Sequence, residues 1–489
     1  MPNPMIFLDT DNAASLSRRT RRGELQRLHP GIYSSDLGTA PETLVARHWL
    51  EIASHLYPGA VLSHRSAVEG KPAAGLLYLT SARRTRDITL PGLTLKLLQG
   101  PPPVAEEGPA RDMPLGGLFL ASEPRRLLEN LQAARGAQRK ALGAAWVEEH
   151  LERIAQSRGL KYLNTLRDVS HEIAQRFGWQ AEFAALDGMI GALLGTRDAA
   201  RLKTARGRAR ATGQPYDAAR LPLFDALFSH LNREPLEEFP DRAVGDAVRA
   251  HFAFFESYFS NYIEGTTFTV EEASDIVFHG RVIEARPADA HDVIGTFRIA
   301  ADPRSRRQTP ANADEFIAQA RALHADVLAA RPEALPGHFK EQANRAGTTT
   351  FVAPDLVEGT LRQGWQRIAA LSAPFARAAM TMFVLAEAHP FKDGNGRIAR
   401  LMMNACLSAA DRTRIIVPML FREDYLLALK ALSHNAEPEP LVRALHFAWR
   451  WSAALDFTDF NTAWRELQHC HAFEESTRDY RLGFPRAIG

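Results

Sequence analysis

The chain has 489 residues, of which 45% are apolar and 24% charged, and its formal net charge is +2. This length predicts two to four domains, and the near-neutral charge excludes a protein that binds polyanions over its whole surface. Cys406 and Cys470 are too few for a disulfide scaffold or a cysteine-rich zinc module, and they favour a cytoplasmic protein. The sequence shows neither a signal peptide nor an apolar run of about 18 residues, so no membrane partner is expected.

Residues 1–122 are predicted to form a mixed α/β domain. Residues 15–34 are rich in arginine, and residues 24–33 contain a Pro-Gly turn typical of a short hairpin or wing. Residues 42–56 have a helical pattern, whereas residues 76–98 and 116–122 consist of short β-like segments.

Two N-terminal segments carry a family resemblance. Residues 15–34 and 56–70 resemble the N-terminal region of AbiEi-type antitoxins, in which a winged helix–turn–helix precedes a mixed domain. Too few residues precede Arg21 to form two helices, so the DNA-reading part is expected to be shortened or lost. DNA binding through residues 15–34 is therefore left open but not favoured over a scaffold or protein-docking role.

Residues 123–239 are rich in Ala, Leu, Arg and Glu, and they predict a helical middle region. Within it, residues 201–217 contain five Lys or Arg and one acidic residue. Such a run is interpreted as a solvated helix end and loop rather than a nucleic-acid contact.

A third, mainly α domain is predicted over residues 240–455, followed by a loosely packed C-terminal tail over residues 456–489. Val248, Phe252, Phe255, Phe259 and Tyr262 follow helical spacing, and Gly265 is suited to end that helix. Ser260 and Glu264 share one face of it, and the carboxylate of Glu264 is disfavoured by the dipole of the last helical turn. A partner for Glu264 outside this helix is therefore expected.

The most informative segment is the turn between two further helices, His389-Pro390-Phe391-Lys392-Asp393-Gly394-Asn395-Gly396-Arg397-Ile398-Ala399-Arg400. Pro390 ends the first helix, and the two glycines allow a tight turn into the second. A helix N-terminus after such a turn binds anions, and Arg397 and Arg400 add guanidinium groups suited to phosphate. Asp393 is a candidate Mg²⁺ ligand and His389 a candidate general base.

This segment matches every specified position of HPFx(D/E)GNGRxxR, the signature of the Fic (Fido) family. The resemblance implies a helical core with a β-hairpin flap, which we place at Thr349, Thr350 and Phe351 and which docks the target protein. It also implies ATP and Mg²⁺ as substrate and cofactor, with nucleotide contacts from Gly394, Asn395, Gly396, Arg397, Arg400, Asn404 and Tyr425. Lys340 stands where many relatives have Arg.

The Ser260–Glu264 pattern matches the (S/T)xxxE(G/N) inhibitory motif of the same family. The resemblance implies that Glu264 pairs with Arg400 and excludes the γ-phosphate of ATP. The predicted activity is transfer of AMP from ATP to a Ser, Thr or Tyr hydroxyl of a target protein, with self-inhibition by Glu264.

Three alternatives remain at this point. The same site is also compatible with removal of AMP from a modified protein, or with a Fido transferase that uses another nucleotide donor. A DNA-binding regulator with a nucleotide-sensing Fic domain is the third. The sequence leaves homo-oligomer formation open.

Overall fold

The structure, a computed structural model, describes residues 3–485 except 10–11, 84–85, 134–139, 234–235, 244, 282–284 and 476. Helices form most of its regular structure, which confirms the predicted mainly α class. The chain divides into two compact units, Met1–Gly213 and Gln214–Gly489. The domain boundaries placed after residues 122, 239 and 455 stay predictions.

The first unit contains two β-sheets. The smaller is antiparallel, with strands in the order β1 (Met5–Phe7), β3 (Ile32–Ser34), β2 (Gln26–His29). The larger is mixed, in the order β6 (Ile88–Leu90), β7 (Leu93–Gln99), β5 (Leu76–Ser81), β4 (Val61–Leu62), β9 (Leu118–Leu120), β8 (Met113–Leu115). Leu77 and Leu79 face the core together with their parallel partners Leu95 and Leu97, because alternate strand residues share one face.

Helices make up the rest of the first unit. They are α1 (Ala13–Arg21), α2 (Pro41–Arg47), α3 (Trp49–Leu56), α4 (His64–Glu69), α5 (Glu123–Leu131), α6 (Ala144–Arg158), α7 (Leu160–Phe177), α8 (Gln180–Leu193) and α9 (Ala205–Ala211). A single described helix, α1, precedes the β2–β3 hairpin. The expected hairpin and the helical middle region are both present.

The basic stretch at residues 201–217 is solvated only in part: Arg201, Lys203 and Arg208 are exposed, as predicted, whereas Arg206 and Arg210 are not. Helix α9 packs against α6, and Arg206 and Arg210 both approach the buried carboxylate of Glu152, at 3.4 and 2.6 Å. Glu148, also buried, accepts hydrogen bonds from the backbone N–H groups of Lys203 and Thr204. Because buried carboxylates need such partners, residues 203–210 contribute to packing within the first unit.

The second unit is a helical assembly with one short hairpin. Its helices are α10 (Leu221–Leu231), α11 (Asp246–Ile263), α12 (Val270–His279), α13 (Pro287–Ala301), α14 (Ala313–Val327), α15 (Val357–Ala370), α16 (Pro374–Ala388), α17 (Asn395–Ala409), α18 (Arg422–Asn435), α19 (Glu439–Ala454) and α20 (Phe460–His469). Helix α16 lies at the centre, with Met382, Phe383 and Leu385 buried. None of the described helices is long and apolar enough to cross a membrane.

Two expectations for this unit need correction. The flap strand is shorter than its β-branched sequence indicates: β10 (Arg345–Ala346) pairs with β11 (Thr349–Thr350), with the turn between them. The prediction of a loosely packed C-terminal tail is wrong, because α20 buries Ala463 and Leu467 and the following Cys470 is also buried. Phe473 stacks on Phe259 of α11, with ring centroids 5.1 Å apart.

Candidate active site

The loop between α16 and α17 turns at two residues whose backbone is left-handed. His389 lies in the left-handed region (φ 48°, ψ 59°) at the end of α16, and Gly394 (φ 73°) precedes α17. The side chain of Asn395 closes the loop, because its Oδ1 accepts from the N–H of Phe391 (2.8 Å) and its Nδ2 donates to the Phe391 carbonyl (2.9 Å). The Phe391 ring is buried and stacks on His324 at 3.9 Å. The hydrogen bonds of Asn395 and the buried ring of Phe391 therefore fix the conformation of the loop.

His389 is held by its ring as well as by its backbone. The imidazole stacks on Phe351 of the flap, with centroids 3.7 Å apart and planes 7° from parallel. Its Nδ1 lies 3.3 Å from the Ala386 carbonyl, so a proton on Nδ1 leaves the Nε2 lone pair free. Burial, aided by the nearby Lys340 ammonium, lowers the pKa of His389 to about 4. The imidazole is thus neutral at pH 7, the form that a general base requires.

Arg400 is bound by helix α11. Its Nε donates to Ser260 Oγ (3.0 Å), and its Nη2 donates to the Ser260 carbonyl (2.8 Å) and to Glu264 Oε1 (2.8 Å). The guanidinium is buried, whereas the Glu264 side chain retains 23% of its exposure. The structure thus brings together Ser260, Glu264 and Arg400, as the inhibitory motif implies.

The Glu264 carboxylate also covers the start of α17. A methyl group added at Gly396 would overlap Glu264 Oε1, which places the carboxylate directly against the glycine backbone in the first turn of that helix. Unpaired N–H groups in a first helical turn attract anions. In this structure the carboxylate therefore lies where a phosphate oxygen is expected, and it holds Arg400 at the same time.

Arg397 and Asp393 lie on the other side of the loop. Arg397 is buried, and its Nη1 donates to the buried Asp292 Oδ2 of α13 at 2.5 Å. Asp292 Oδ2 also accepts from Arg331 Nε (2.8 Å). The side chain of Asp393 is 54% exposed, with Oδ2 3.6 Å from Arg397 Nη2. Sequence reasoning missed Asp292, since a lone Asp on an amphipathic helix carries no motif.

Asp393 is the candidate Mg²⁺ ligand of the loop. Within the described residues, no group of three or more His, Cys, Asp or Glu side chains is placed to enclose a metal ion. Mg²⁺ in nucleotide sites typically uses one or two carboxylates together with phosphate oxygens and water. The solvent-facing carboxylate of Asp393, beside the start of α17, fits that mode of binding.

A cavity of about 300 Å³ opens beside His389. Among the predicted site residues, those that line it are Glu264, Thr349, Phe351, His389, Gly396, Arg400 and Tyr425. Its apolar wall includes Ile263, Leu426 and Leu429. Thr349 Oγ1 lies 2.6 Å from His434 Nε2, and the neighbouring Thr350 carbonyl accepts from Arg220 Nη2.

Asn404 is not brought to this cavity, contrary to expectation. Its Nδ2 donates to Glu256 Oε1 (2.8 Å) and to the Ile415 carbonyl (2.9 Å), and its Oδ1 accepts from the Ile415 N–H (2.8 Å). The side chain is buried, and these bonds use both its donor group and its acceptor. Asn404 therefore fixes the segment after α17, a contact that spacing along the helix does not reveal.

Comparison with known proteins identifies the loop region. Residues 314–407 match the model of the Fic/DOC family. Protein adenylyltransferase fic-1 of Caenorhabditis briggsae is 27% identical over 199 residues, covering 39% of this chain and 38% of that protein. Protein adenylyltransferase Fic of Drosophila melanogaster is 29% identical over 198 residues, covering 39% of each chain.

Among solved structures, Fic-1 (residues 134–508) from C. elegans is 19% identical, with a TM-score of 0.37 over 63% of this chain and 95% of that one. The present chain matches about two fifths of the length of the two curated relatives named above. The match to the Fic/DOC family model over residues 314–407 includes the whole loop from His389 to Arg400.

Proposed function

We propose that the chain is a protein adenylyltransferase, held in a self-inhibited state, that transfers AMP from ATP to a Ser, Thr or Tyr hydroxyl of a target protein. One observation carries the proposal: a neutral His389 and an arginine-lined helix N-terminus face one cavity, and Glu264 binds that arginine. The names of the curated relatives, protein adenylyltransferases, support the same reaction.

In the proposed reaction, His389 Nε2 accepts the proton of the target hydroxyl as its oxygen attacks the α-phosphorus of ATP. The new P–O bond joins AMP to the target, and the bond to the β-phosphate breaks, so pyrophosphate leaves. Backbone N–H groups at Asn395 and Gly396 and the Arg397 guanidinium stabilise the charge that develops on the phosphate oxygens, whereas the Gly394 N–H donates to Asp393 Oδ1. Arg400 binds the γ-phosphate once Glu264 has moved away.

Two further groups complete the proposed site. Asp393 would hold Mg²⁺, which when bound neutralises phosphate charge and orients the leaving group. The flap at Thr349, Thr350 and Phe351 would offer backbone groups to an extended target segment, a mode of recognition that tolerates many sequences. Tyr425 lines the cavity and remains a candidate nucleotide contact.

The test compares ATP labelled at the α- or γ-phosphate, using the Glu264→Gly protein with Mg²⁺ and a cell lysate. We expect label to reach protein from α-labelled ATP alone. His389→Ala in the same background should lower transfer by about 10²–10⁴-fold with ATP binding retained, since the base acts on the hydroxyl. Transfer of the γ-label alone would overturn the assigned reaction.

Removal of AMP from a modified target is the second candidate. It is favoured by the position of Glu264, whose partly exposed carboxylate shares the cavity with His389. A carboxylate there is placed to orient an attacking water. Incubation of an AMP-modified target with the wild-type chain separates the two: release of AMP that Glu264→Gly abolishes would favour removal.

For the N-terminal region, we propose a shortened AbiEi-like winged element made of α1 and the β2–β3 hairpin. Arg18, Arg19 and Arg21 lie in the last turn of α1, which supports a weak contact with DNA at most. The preferred role is scaffolding or protein docking. A gel-shift assay with the promoter region of the chain's own gene is expected to show no specific complex. A specific complex lost on replacing these arginines by Ala would favour the regulator alternative.

A further inference from the structure

The segment Lys340–Asn344, between α14 and the flap, holds the backbone of the catalytic loop. Lys340 Nζ donates to the His389 carbonyl (2.7 Å), and Lys340 N–H donates to the Pro390 carbonyl (2.9 Å). Asn344 Nδ2 donates to the Phe391 carbonyl (3.0 Å). Consecutive carbonyls at 389, 390 and 391 are thus each bound by this segment.

His389 needs such support because of its backbone. A residue other than glycine in the left-handed region is strained, and the strain persists only where surrounding contacts hold it. Since α16 ends at Ala388, the His389 carbonyl points away from the helix and requires a donor elsewhere. Lys340 Nζ supplies that donor, and Asn344 Oδ1 accepts from the same ammonium at 2.6 Å.

The environment of Lys340 is unusual for a lysine. Its side chain is buried, and within the described part of the chain its ammonium makes no ion pair with a carboxylate. Burial, together with the positive charge of Arg220, lowers the pKa of Lys340 to about 8. A buried cation whose partners are neutral oxygens costs desolvation free energy, so it adds little to stability.

We infer that Lys340 is a positioning residue for His389, whose ammonium fixes the His389 carbonyl and thereby aims the imidazole into the cavity against Phe351. This inference rests on the proposed function and deepens it. The ring of Phe351 is set by the same segment, because its N–H lies 3.3 Å from the Asn344 carbonyl. Lys340–Asn344 therefore controls both the backbone and the stacking partner of His389.

Lys340 also acts on His389 through its charge. The charged groups that act on the imidazole are Lys340, which lowers its pKa, and Glu264 and Asp393, which raise it. In a protein that carries Glu264→Gly, removing the ammonium leaves burial and the Asp393 carboxylate, so protonation of His389 becomes easier. A change at Lys340 should therefore move the acid limb of the rate profile to higher pH.

The test uses full-length protein carrying Glu264→Gly, in which the inhibitory carboxylate is absent. Adding Lys340→Met should lower kcat by about 10–100-fold while KM for ATP changes little, because a misplaced base harms the chemical step. Lys340→Arg keeps a cationic donor and should retain most of the activity. Lys161→Met, an exposed lysine on α7, is the matched control and should match the parent.

Asn344→Ala provides a second test, and urea denaturation checks that the variants remain folded. Asn344→Ala removes the donor to Phe391 and one acceptor of the Lys340 ammonium, so a smaller loss of kcat is expected. Urea denaturation must show that Lys340→Met unfolds at a midpoint close to the parent's. The acid limb should lie at higher pH in Lys340→Met than in the parent.

Three results would overturn the inference: unchanged kcat in Lys340→Met, equal losses in the Met and Arg variants, or an unmoved acid limb. If the proposed function itself is wrong, the result differs from all three. In that case the Glu264→Gly parent with Lys340 intact would transfer no α-label at all.

Discussion

At Arg400, the hydrogen bonds of the guanidinium go to a single turn of α11, through Ser260 and Glu264. Glu264 accepts one of these hydrogen bonds and the two oxygens of Ser260 accept the others, so a buried guanidinium is held by three acceptors rather than by an exposed ion pair alone. The same carboxylate lies against Gly396. The Glu264 side chain therefore occupies both the Arg400 guanidinium and the first turn of α17. Release of Glu264 should therefore free both features together.

The first prediction concerns this contact. Glu264→Gly should raise AMP transfer, including self-modification, because it frees Arg400 and the first turn of α17. Moving a blocked-to-competent ratio from 1:99 to 99:1 corresponds to about 5.5 kcal/mol, so even partial relief gives a large rate change. Ser260→Ala removes one acceptor of three and should give a smaller rise. Initial rates with α-labelled ATP measure both.

The control is the double variant Glu264→Gly/His389→Ala, which should be silent again. Silence separates true release from non-specific unfolding. If Glu264→Gly bound ATP but transferred no more AMP than wild type, self-inhibition by this contact would be rejected.

The second prediction follows from the ionisation of His389. Burial lowers its pKa from the ordinary 6.5 to about 4, so the neutral base predominates at any pH above about 5. For Glu264→Gly we expect kcat to be flat between about pH 6 and 7 and, on the acid side, to fall only below about pH 5. Removing Glu264, whose charge raises this pKa, moves the limb further down. A half-maximal rate near pH 6.5 would contradict the buried, neutral base.

At the level of elements, helix α11, which carries the proposed inhibitory motif, is supported from the C-terminal segment. Tyr262 donates to Glu475, and Phe473 packs on Phe259 and Tyr258. These contacts reach the same turns of α11 that carry Ser260 and Glu264. Residues 456–475 are therefore part of the core that supports the end of α11, where Ser260 and Glu264 lie.

The third prediction tests this packing. Leu467 is fully buried, so Leu467→Ala should lower the free energy of unfolding by about 2–5 kcal/mol through lost burial and a residual cavity. Leu427 is 55% exposed, and Leu427→Ala should change the free energy of unfolding by no more than about 0.5 kcal/mol. Urea denaturation measures both variants. Equal, small effects would show that α20 does not belong to the folded core.

Sequence reasoning succeeded where local chemistry dictates structure. Pro390 and Gly394 mark the turn, and the spacing of Phe252, Phe255 and Phe259 marks α11, because these signals lie within a few residues of one another. Sequence reasoning failed where the two residues of a contact are far apart in the sequence. Asp292 lies 105 positions from Arg397, and Lys340 lies 49 positions from His389, and no local pattern joins either pair. Asn404 was misplaced for the same reason, since its partners Glu256 and Ile415 come from other segments.

At the scale of the whole molecule, the proposed chemistry lies in one unit. All residues that line the cavity, hold the loop or bind Arg400 belong to Gln214–Gly489. In Met1–Gly213, by contrast, the buried ion pairs of Arg125 with Asp112 and Glu129 stabilise that unit's own fold. Each unit thus has hydrophobic clusters of its own.

The last prediction follows from this separation. A fragment covering residues 214–489 with Glu264→Gly should fold alone and modify itself from α-labelled ATP at a rate close to that of the full-length variant, because a unit with its own core can fold independently. The fragment covering residues 1–213 should be folded and inactive, and it is the matched control. Circular dichroism and urea denaturation check folding, and label transfer checks activity. A folded 214–489 fragment that binds ATP but transfers no AMP would show that the first unit supplies part of the active site.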